Sequence, residues 1–439
     1  MSKSFRAWDV DQGWLLPPSL HDFVAAGHAA HFVRDTVREG LDLSAILDCY
    51  SEERGYPPYH PAMMVALLLY GYSRGTYSSR HLARACEERV DFMAVTGLNR
   101  PDFRTISEFR KRHLRALGGL FAQVLALCRA AGLVKLGHVA LDGTKIKANA
   151  SRHKAMSYGR MTAAEARLSA EVQAWLARAA AADAVEDREL GERRGDELPD
   201  WAADKRRRIE KIRAAKAALE AEAKAPRGDD DEPGASSGMR ERAKPKRGRD
   251  GRPPAQAQRN FTDPDSRIMK TRDGFVQGYN AQIAVDAERQ VITAWRLTTN
   301  AADYAGLVPL VEATRRALGK APREVSADAG FCNEANLAAL AYRRVAAYLP
   351  PGRPRHDGDP VGRRIIEPGS LLADMADRLR RAGRRSRYRL RKQIVEPVFG
   401  QIKQARGFRQ FLLRGFDQVS AEWAMICTAH NLCKLAAAA

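Results

Sequence analysis

Three acidic residues stand in contexts that could support chemistry. In "HVALDGTKIKANAS", His138 to Ser151, a short apolar run leads into Asp142, Gly143 follows at once, and Lys145 and Lys147 occupy alternate positions. "REVSADAGFCNEANLAAL" repeats the pattern with Asp328 and Gly330, and a helix is expected to begin near Asn333. "IVEPVFGQIKQARGFR" sets Glu396 in a strongly basic stretch. Each acid has an ordinary reading: Asp142-Gly143 as a hairpin turn, Asp328 as a turn or helix cap, Glu396 as a solvated charge beside arginines. The alternative for Asp142 is a metal ligand held at the tip of a strand. If acids from separate elements converge, ionised carboxylates repel one another and call for a cation. Mg²⁺ suits such a set, because it takes oxygen ligands and keeps waters and phosphate oxygens in its remaining positions, and Mn²⁺ would substitute.

The composition agrees with a charged partner. The chain has 439 residues, 45% of them hydrophobic, and a formal charge of +20. That length supports two or three domains with a sizeable core, and the charge implies a polyanion such as nucleic acid. A membrane role is not expected. No apolar run approaches the roughly 20 residues of a spanning helix, and "MSKSFRAWDVDQGW" lacks a signal-peptide core, so a cytoplasmic location is expected. The six cysteines form no Cys-x-x-Cys pair, which fits reduced thiols rather than a disulfide framework. Cys427, His430 and Cys433 fall at intervals of three, but their apolar neighbours favour a packed core helix.

The elements that must position these residues divide the chain. Residues 1–16 read as an arm and 17–132 as a helical domain. Within the latter, Thr105 and Glu108 have the form of a capping box, so a helix should begin there and expose Arg110, Lys111, Arg112 and His113. A short helix pair ending in a basic helix is the pattern of a helix-turn-helix reader, and equally of a solvated helix. Residues 152–258 are rich in Ala, Glu, Lys and Arg and then in Pro, Gly and charge. They read as a helical hairpin and mobile linker inserted into a domain formed by 133–151 and 259–439. In that domain, Val276 to Val285 and Val291 to Thr298 read as a hairpin. A helix follows Asp303, strands lie before Asp328 and in "RRVAAYLP", and Glu396 belongs to a helical region. Asp286 and Asp303 are the substitutes for the three acids, whereas Asp263, Asp265 and Asp273 read as loop residues.

In this order the segments resemble the DDE transposases of bacterial insertion sequences. The likeness rests on "ALDGTKIKANAS", "DPDSRIMKTRDGFVQGYNAQIAVD", "VSADAGF", "IVEPVFGQIKQARGFR" and, upstream, "RGYPPYHPAMMVALLLYGYSRGTYSSR". It implies an α/β fold: an RNase H-like mixed five-stranded sheet with flanking helices, an all-helical N-terminal domain, and an insertion between the first and second strands. It further implies Asp142, Asp328 and Glu396 as the catalytic, metal-binding triad for Mg²⁺ or Mn²⁺. Tyr388, Arg391 and Lys403 match the companions of the Glu, although the commoner spacing would put Lys392 in the place of Arg391. Lys145, Lys147, Arg406 and Arg409, with Arg110 and Arg112 of the helical domain, would contact DNA. The partners would be double-stranded DNA, as terminal inverted repeats and target, and further copies of the chain in a dimer or higher oligomer. Pro397 argues for a kink or helix start at Glu396. Two rivals are an inactive transposase-derived DNA-binding protein and a host nuclease of the same fold.

Overall fold

The computed structural model describes residues 19–50, 57–190, 200–224, 238–241, 250–271, 274–352 and 366–439. The expected arm at 1–16, Asp273 and most of the Pro/Gly-rich linker lie outside the described residues. The centre is a mixed sheet built from β1 (His138–Lys147), β2 (Gly274–Asp286), β3 (Ile292–Thr298), β4 (Glu324–Ser326) and β5 (Ala346–Tyr348), in the order β3-β2-β1-β4-β5. The first three strands pair antiparallel, while β4 and β5 run parallel to β1. This is the expected RNase H-like core. Two short strands extend it: Gly238–Glu241 lies parallel on the outer edge of β3, and Arg267–Thr271 forms a hairpin with the start of β2. Part of the stretch read as linker is therefore an edge strand.

Asp142-Gly143 is not a turn. β1 runs straight through both residues and pairs with β2 from Val139 opposite Asp286 to Lys147 opposite Gly278. The continuous partner strand overrides the local turn preference, since β2 offers antiparallel pairing along the whole stretch. The approach is close enough that a Cβ at residue 278 would sit 2.3 Å from the Ile146 carbonyl oxygen, so only glycine fits opposite Lys147.

The N-terminal region is helical. Its centre is α1 (Pro61–Ser73), whose residues are buried except Met63. α2 (Phe103–Arg112) begins two residues before Thr105, the start of the expected capping box. Asp102 is the N-cap, accepting from the backbone N–H groups of Arg104 and Thr105, and the Thr105 hydroxyl donates back to it. Asp is the better acceptor at that position, and Thr105 becomes its helper. The expected exposure of Arg110 is also corrected. Arg110 is buried and donates to the Tyr77 carbonyl at 2.9 Å and the Ser79 hydroxyl at 2.8 Å; His113 is buried too, while Lys111 and Arg112 remain outside. α2 thus turns one cation inward to tie down the loop between two helices.

α3 (Leu114–Ala130) packs along the last helix of the chain. The insertion forms α4 (Tyr158–Leu190) and α5 (Asp200–Lys224), which share a small apolar core of their own including Met161, Leu168, Ile212 and Leu219. α6 (Leu307–Leu318) covers β3, α7 (Arg391–Gly400) lies over β1, and α8 (Phe416–Ala436) packs against α1, α3 and β3. Through α8 the N-terminal helices and the sheet form one apolar core. Among the described residues, no helix is long and apolar enough to cross a membrane.

Arg110→Ala leaves the carbonyl and hydroxyl it serves without their donor in the interior, at a cost of about 3 kcal/mol. Arg112→Ala, which removes an exposed side chain bonded to the Cys49 carbonyl, should cost under about 1 kcal/mol. Urea unfolding followed by circular dichroism distinguishes them, and equal costs would refute the interior role of Arg110.

Candidate active site

Asp142 sits in the middle of β1 with its side chain toward α7. The Arg391 guanidinium lies between two carboxylates. Nη1 donates to Asp142 Oδ2 at 2.8 Å and Nη2 to Glu396 Oε1 at 3.1 Å. The Asp142 and Arg391 side chains are only 16% and 14% exposed, whereas Glu396 is 45% exposed. The pair is therefore shielded while the third partner remains reachable from solvent. Burial raises the Asp142 carboxyl to about 6 despite the opposing pull of Arg391, and the nearby charge of Asp328 adds to the rise.

Asp328 follows β4 and caps a short 3₁₀ turn, accepting from the Gly330 N–H at 2.9 Å. Burial raises its pKa, the charge of Asp303 adds to the rise, and Arg391 and Lys145 oppose it. On the opposite face of β1, Asp303 Oδ1 accepts from Asn280 at 2.7 Å, Gln282 at 2.9 Å and Lys145 at 3.1 Å. A Cβ at residue 143 would approach that oxygen to 2.7 Å. Gly143 is thus the gap in β1 that lets Asp303 lie against the strand. The other substitute acid, Asp286, is buried and accepts from the backbone N–H groups of Leu136 and Glu288, holding the entry to β1.

α7 begins at Arg391 and continues through Pro397, so no helix start lies at Glu396. Pro397 has no N–H for the Gln393 carbonyl, and Gln290 Nε2 supplies the donor instead at 2.9 Å. Gln290 has a positive φ of 57°. Its carbonyl and side-chain oxygens accept from His430 Nε2 and Lys434 Nζ, each at 2.9 Å. The turn between β2 and β3 therefore ties α7 to α8. Burial, followed by the Arg406 charge, lowers His430 to about 3 and keeps it neutral; with Cys427 also interior, this part of α8 is core.

The structure separates the expected DNA contacts. Lys403 lies in a π-helical turn at Gln401–Ala405, so α-helical spacing does not carry from Glu396 to it. Its ammonium bonds the Thr144 hydroxyl and lies near the Lys145 carbonyl, and burial, then the Arg409 charge, lowers its pKa. Lys145 is ion-paired with Asp303, Arg406 lies beside the His430 ring, and Lys147 and Arg409 are exposed. Arg391 contacts both acids while Lys392 is exposed, and Tyr388 stacks its ring 6.0 Å from the Arg391 guanidinium. Four arginines of the basic stretch before Glu396 were not among the expected contacts. The exposed Arg384, Arg385, Arg387 and Arg389 line a concave surface together with Lys392, a run of cations visible in "RRAGRRSRYRLRK".

As the side chains stand, no three His, Cys, Asp or Glu among the described residues close on one ion; a guanidinium occupies the space between Asp142 and Glu396. The donors nevertheless fit a hard divalent cation. They are carboxylate oxygens, two of them partly buried and electrostatically opposed, with a positive charge already held between members of the set.

Comparisons with known proteins return two family matches. Residues 18–112 match a Transposase domain (DUF772), and residues 250–432 match a Transposase DDE domain. The second match contains Asp328 and Glu396; Asp142 precedes it. No curated protein and no solved structure matches the chain.

The raised Asp142 pKa has a measurable consequence. The folded protein holds this proton more tightly than the unfolded chain, whose Asp titrates near about 3.9, so between those values stability falls as pH rises. The contribution is fully present below pH about 4 and lost as pH passes through about 6, a change of roughly 3 kcal/mol. The difference in unfolding free energy between the native protein and Asp142→Asn, in chelator, should fall by that order from pH 4 to 7. A difference independent of pH would show that Asp142 titrates normally.

Proposed function

Because the chain belongs to the insertion-sequence DDE transposases, we propose that it performs Mg²⁺-dependent cleavage at the ends of its own element and joins the freed ends to target DNA. One observation carries this reading: Asp142 on β1 and Glu396 on α7, remote in sequence, share the Arg391 guanidinium, and Asp328 after β4 lies close enough to feel its charge. Asp142 would be the ligand common to two ions, with Asp328 and Glu396 each completing one. When bound, such ions make a water or a DNA 3′-hydroxyl nucleophilic and neutralise the leaving oxygen.

The remaining roles fall to the chain's own groups. Asp142 and Asp328 are fixed in place by backbone N–H groups of Gly143 and Gly330. Lys403 stands next to Thr144, two residues from Asp142, where an ammonium can meet a phosphate lying against the acids. Lys147, Arg409 and the concave run from Arg384 to Lys392 would track the DNA backbone, which rewards cations without regard to sequence. With Arg110 interior, Lys111 and Arg112 are the cations of α2 left to contact terminal repeats. Pairing of two DNA ends would be the task of a dimer or larger assembly, acting in the cytoplasm on the nucleoid.

Asp142→Asn, Asp328→Asn and Glu396→Gln should each lower Mg²⁺-dependent cleavage of an element-end duplex by at least a thousandfold while leaving its binding within about threefold. A variant that cleaves at the native rate removes that acid from the set. If the native protein binds the ends but never cleaves them, the DNA-binding derivative is the better reading. Lys403→Ala should weaken DNA binding and reduce the slope of log K against log salt by about one. An unchanged slope would make Lys403 a structural tie between β1 and the turn after α7.

A further inference from the structure

We propose that Arg391 is an internal cation that closes the metal position in the DNA-free protein, so that divalent ions must displace it to bind. The inference rests on the reading of Asp142, Asp328 and Glu396 as ion ligands. Its basis is the engagement of the oxygens. Asp142 Oδ2 is held by Nη1 of Arg391 at 2.8 Å, and Asp142 Oδ1 by the Gly143 N–H at 2.8 Å. Glu396 Oε1 is held by Nη2 of the same guanidinium at 3.1 Å. One planar fork thus bridges an acid on β1 and an acid on α7, and the site can be shielded as it stands because that fork supplies the positive charge.

A dication coordinated by Asp142 and Glu396 would lie within a few ångströms of the guanidinium, where like charges in a shielded site repel strongly. Its ligands would also have to give up charge-assisted hydrogen bonds, since Mg²⁺ demands octahedral oxygen geometry at about 2.0–2.1 Å. The ion and the guanidinium therefore compete for the same carboxylates. For Arg391 to leave, it needs another acceptor, and a phosphate offers the same two-pronged partner as a carboxylate. The concave surface lined by Arg385, Arg387, Arg389 and Lys392 continues directly into Arg391, so a DNA strand drawn to it would bring phosphates within reach. Ions would then load well only on a DNA-engaged protein, and the acids would be inert toward stray nucleic acid in its absence.

The test is Mn²⁺ binding to metal-stripped, DNA-free, full-length protein, read from the electron paramagnetic resonance signal of free Mn²⁺. Arg391→Gln should bind Mn²⁺ at least tenfold more tightly than the native protein, and Arg391→Met, similar in length but without hydrogen-bonding groups, should show the same gain. Circular dichroism checks that each is folded, and one folded variant suffices. The gain should vanish in Arg391→Gln combined with Asp142→Asn. Binding no tighter than native in a folded variant would overturn the proposal and make Arg391 a residue that organises the acids for the ion. Persistence of the gain in the double variant would overturn it by locating the ion elsewhere. If Asp142→Asn and Glu396→Gln alone bind Mn²⁺ as the native protein does and still cleave DNA, the ligand reading itself falls. A native protein whose binding depends on Asp142 but does not improve without Arg391 loses only the competition.

Discussion

Carboxylates brought close together are stable only if something positive stands among them, and much of the local architecture follows from meeting that demand. Arg391 answers for Asp142 and Glu396, and Lys145 for Asp303 on the other face of β1. The two cations are not interchangeable. Arg391 uses a rigid fork to reach across from α7, whereas Lys145 extends from β1 itself to an acid already held by two amide side chains. β1 can serve both faces because side chains alternate along a strand, so Asp142 and Thr144 point toward α7 while Gly143 and Lys145 face Asp303.

Placing an acid on a helix that contains a proline creates a second demand. Pro397 deprives the Gln393 carbonyl of its helical donor one residue after Glu396, and an unmet carbonyl there would favour a break in the helix. Gln290 removes that reason to break. It reaches from the turn between β2 and β3, adopts a left-handed backbone, and joins α7 to His430 and Lys434 of α8. The position of Glu396 relative to Asp142 is thus set by the sheet hairpin and the C-terminal helix as well as by α7.

Much of this arrangement was legible in the chain. The hairpin at Val276 to Thr298, the strand before Asp328, the cap at Asn333 and the helical pair of the insertion follow from periodicity and turn chemistry, which act over a few residues. What was not legible depends on partners distant in sequence. Asp142-Gly143 has the form of a turn until β2 lies alongside, and Pro397 has the form of a break until Gln290, more than a hundred residues earlier, supplies a donor. Arg110 shows the same limit. Its neighbours Lys111 and Arg112 are solvated, and nothing in "FRKRH" marks the one cation whose acceptors lie on another helix and its loop. The three acids could be ordered along the chain by resemblance, but the guanidinium between them could be located only in three dimensions.

The same buried charges fix how the helical region stands against the site. Tyr72 at the end of α1 and Tyr77 beyond it pack their rings on Phe408 at 5.4 and 4.3 Å, and the Tyr77 hydroxyl donates to the Gly407 carbonyl. Phe408 follows Lys403 by only five residues. Glu422 of α8 is fully interior, accepts from the backbone N–H groups of Leu412 and Leu413, and lies near enough to Tyr72 for its charge to help hold the phenol proton. Separating the helices from the sheet would expose this aromatic cluster and strip the carboxylate of its donors, a cost that grows with every buried polar group left unpaired. The helical region and the strand and helix that carry the acids are therefore parts of one packed body. What fixes the helices against the sheet is α8 and the segment after α7, through packed rings and buried hydrogen bonds.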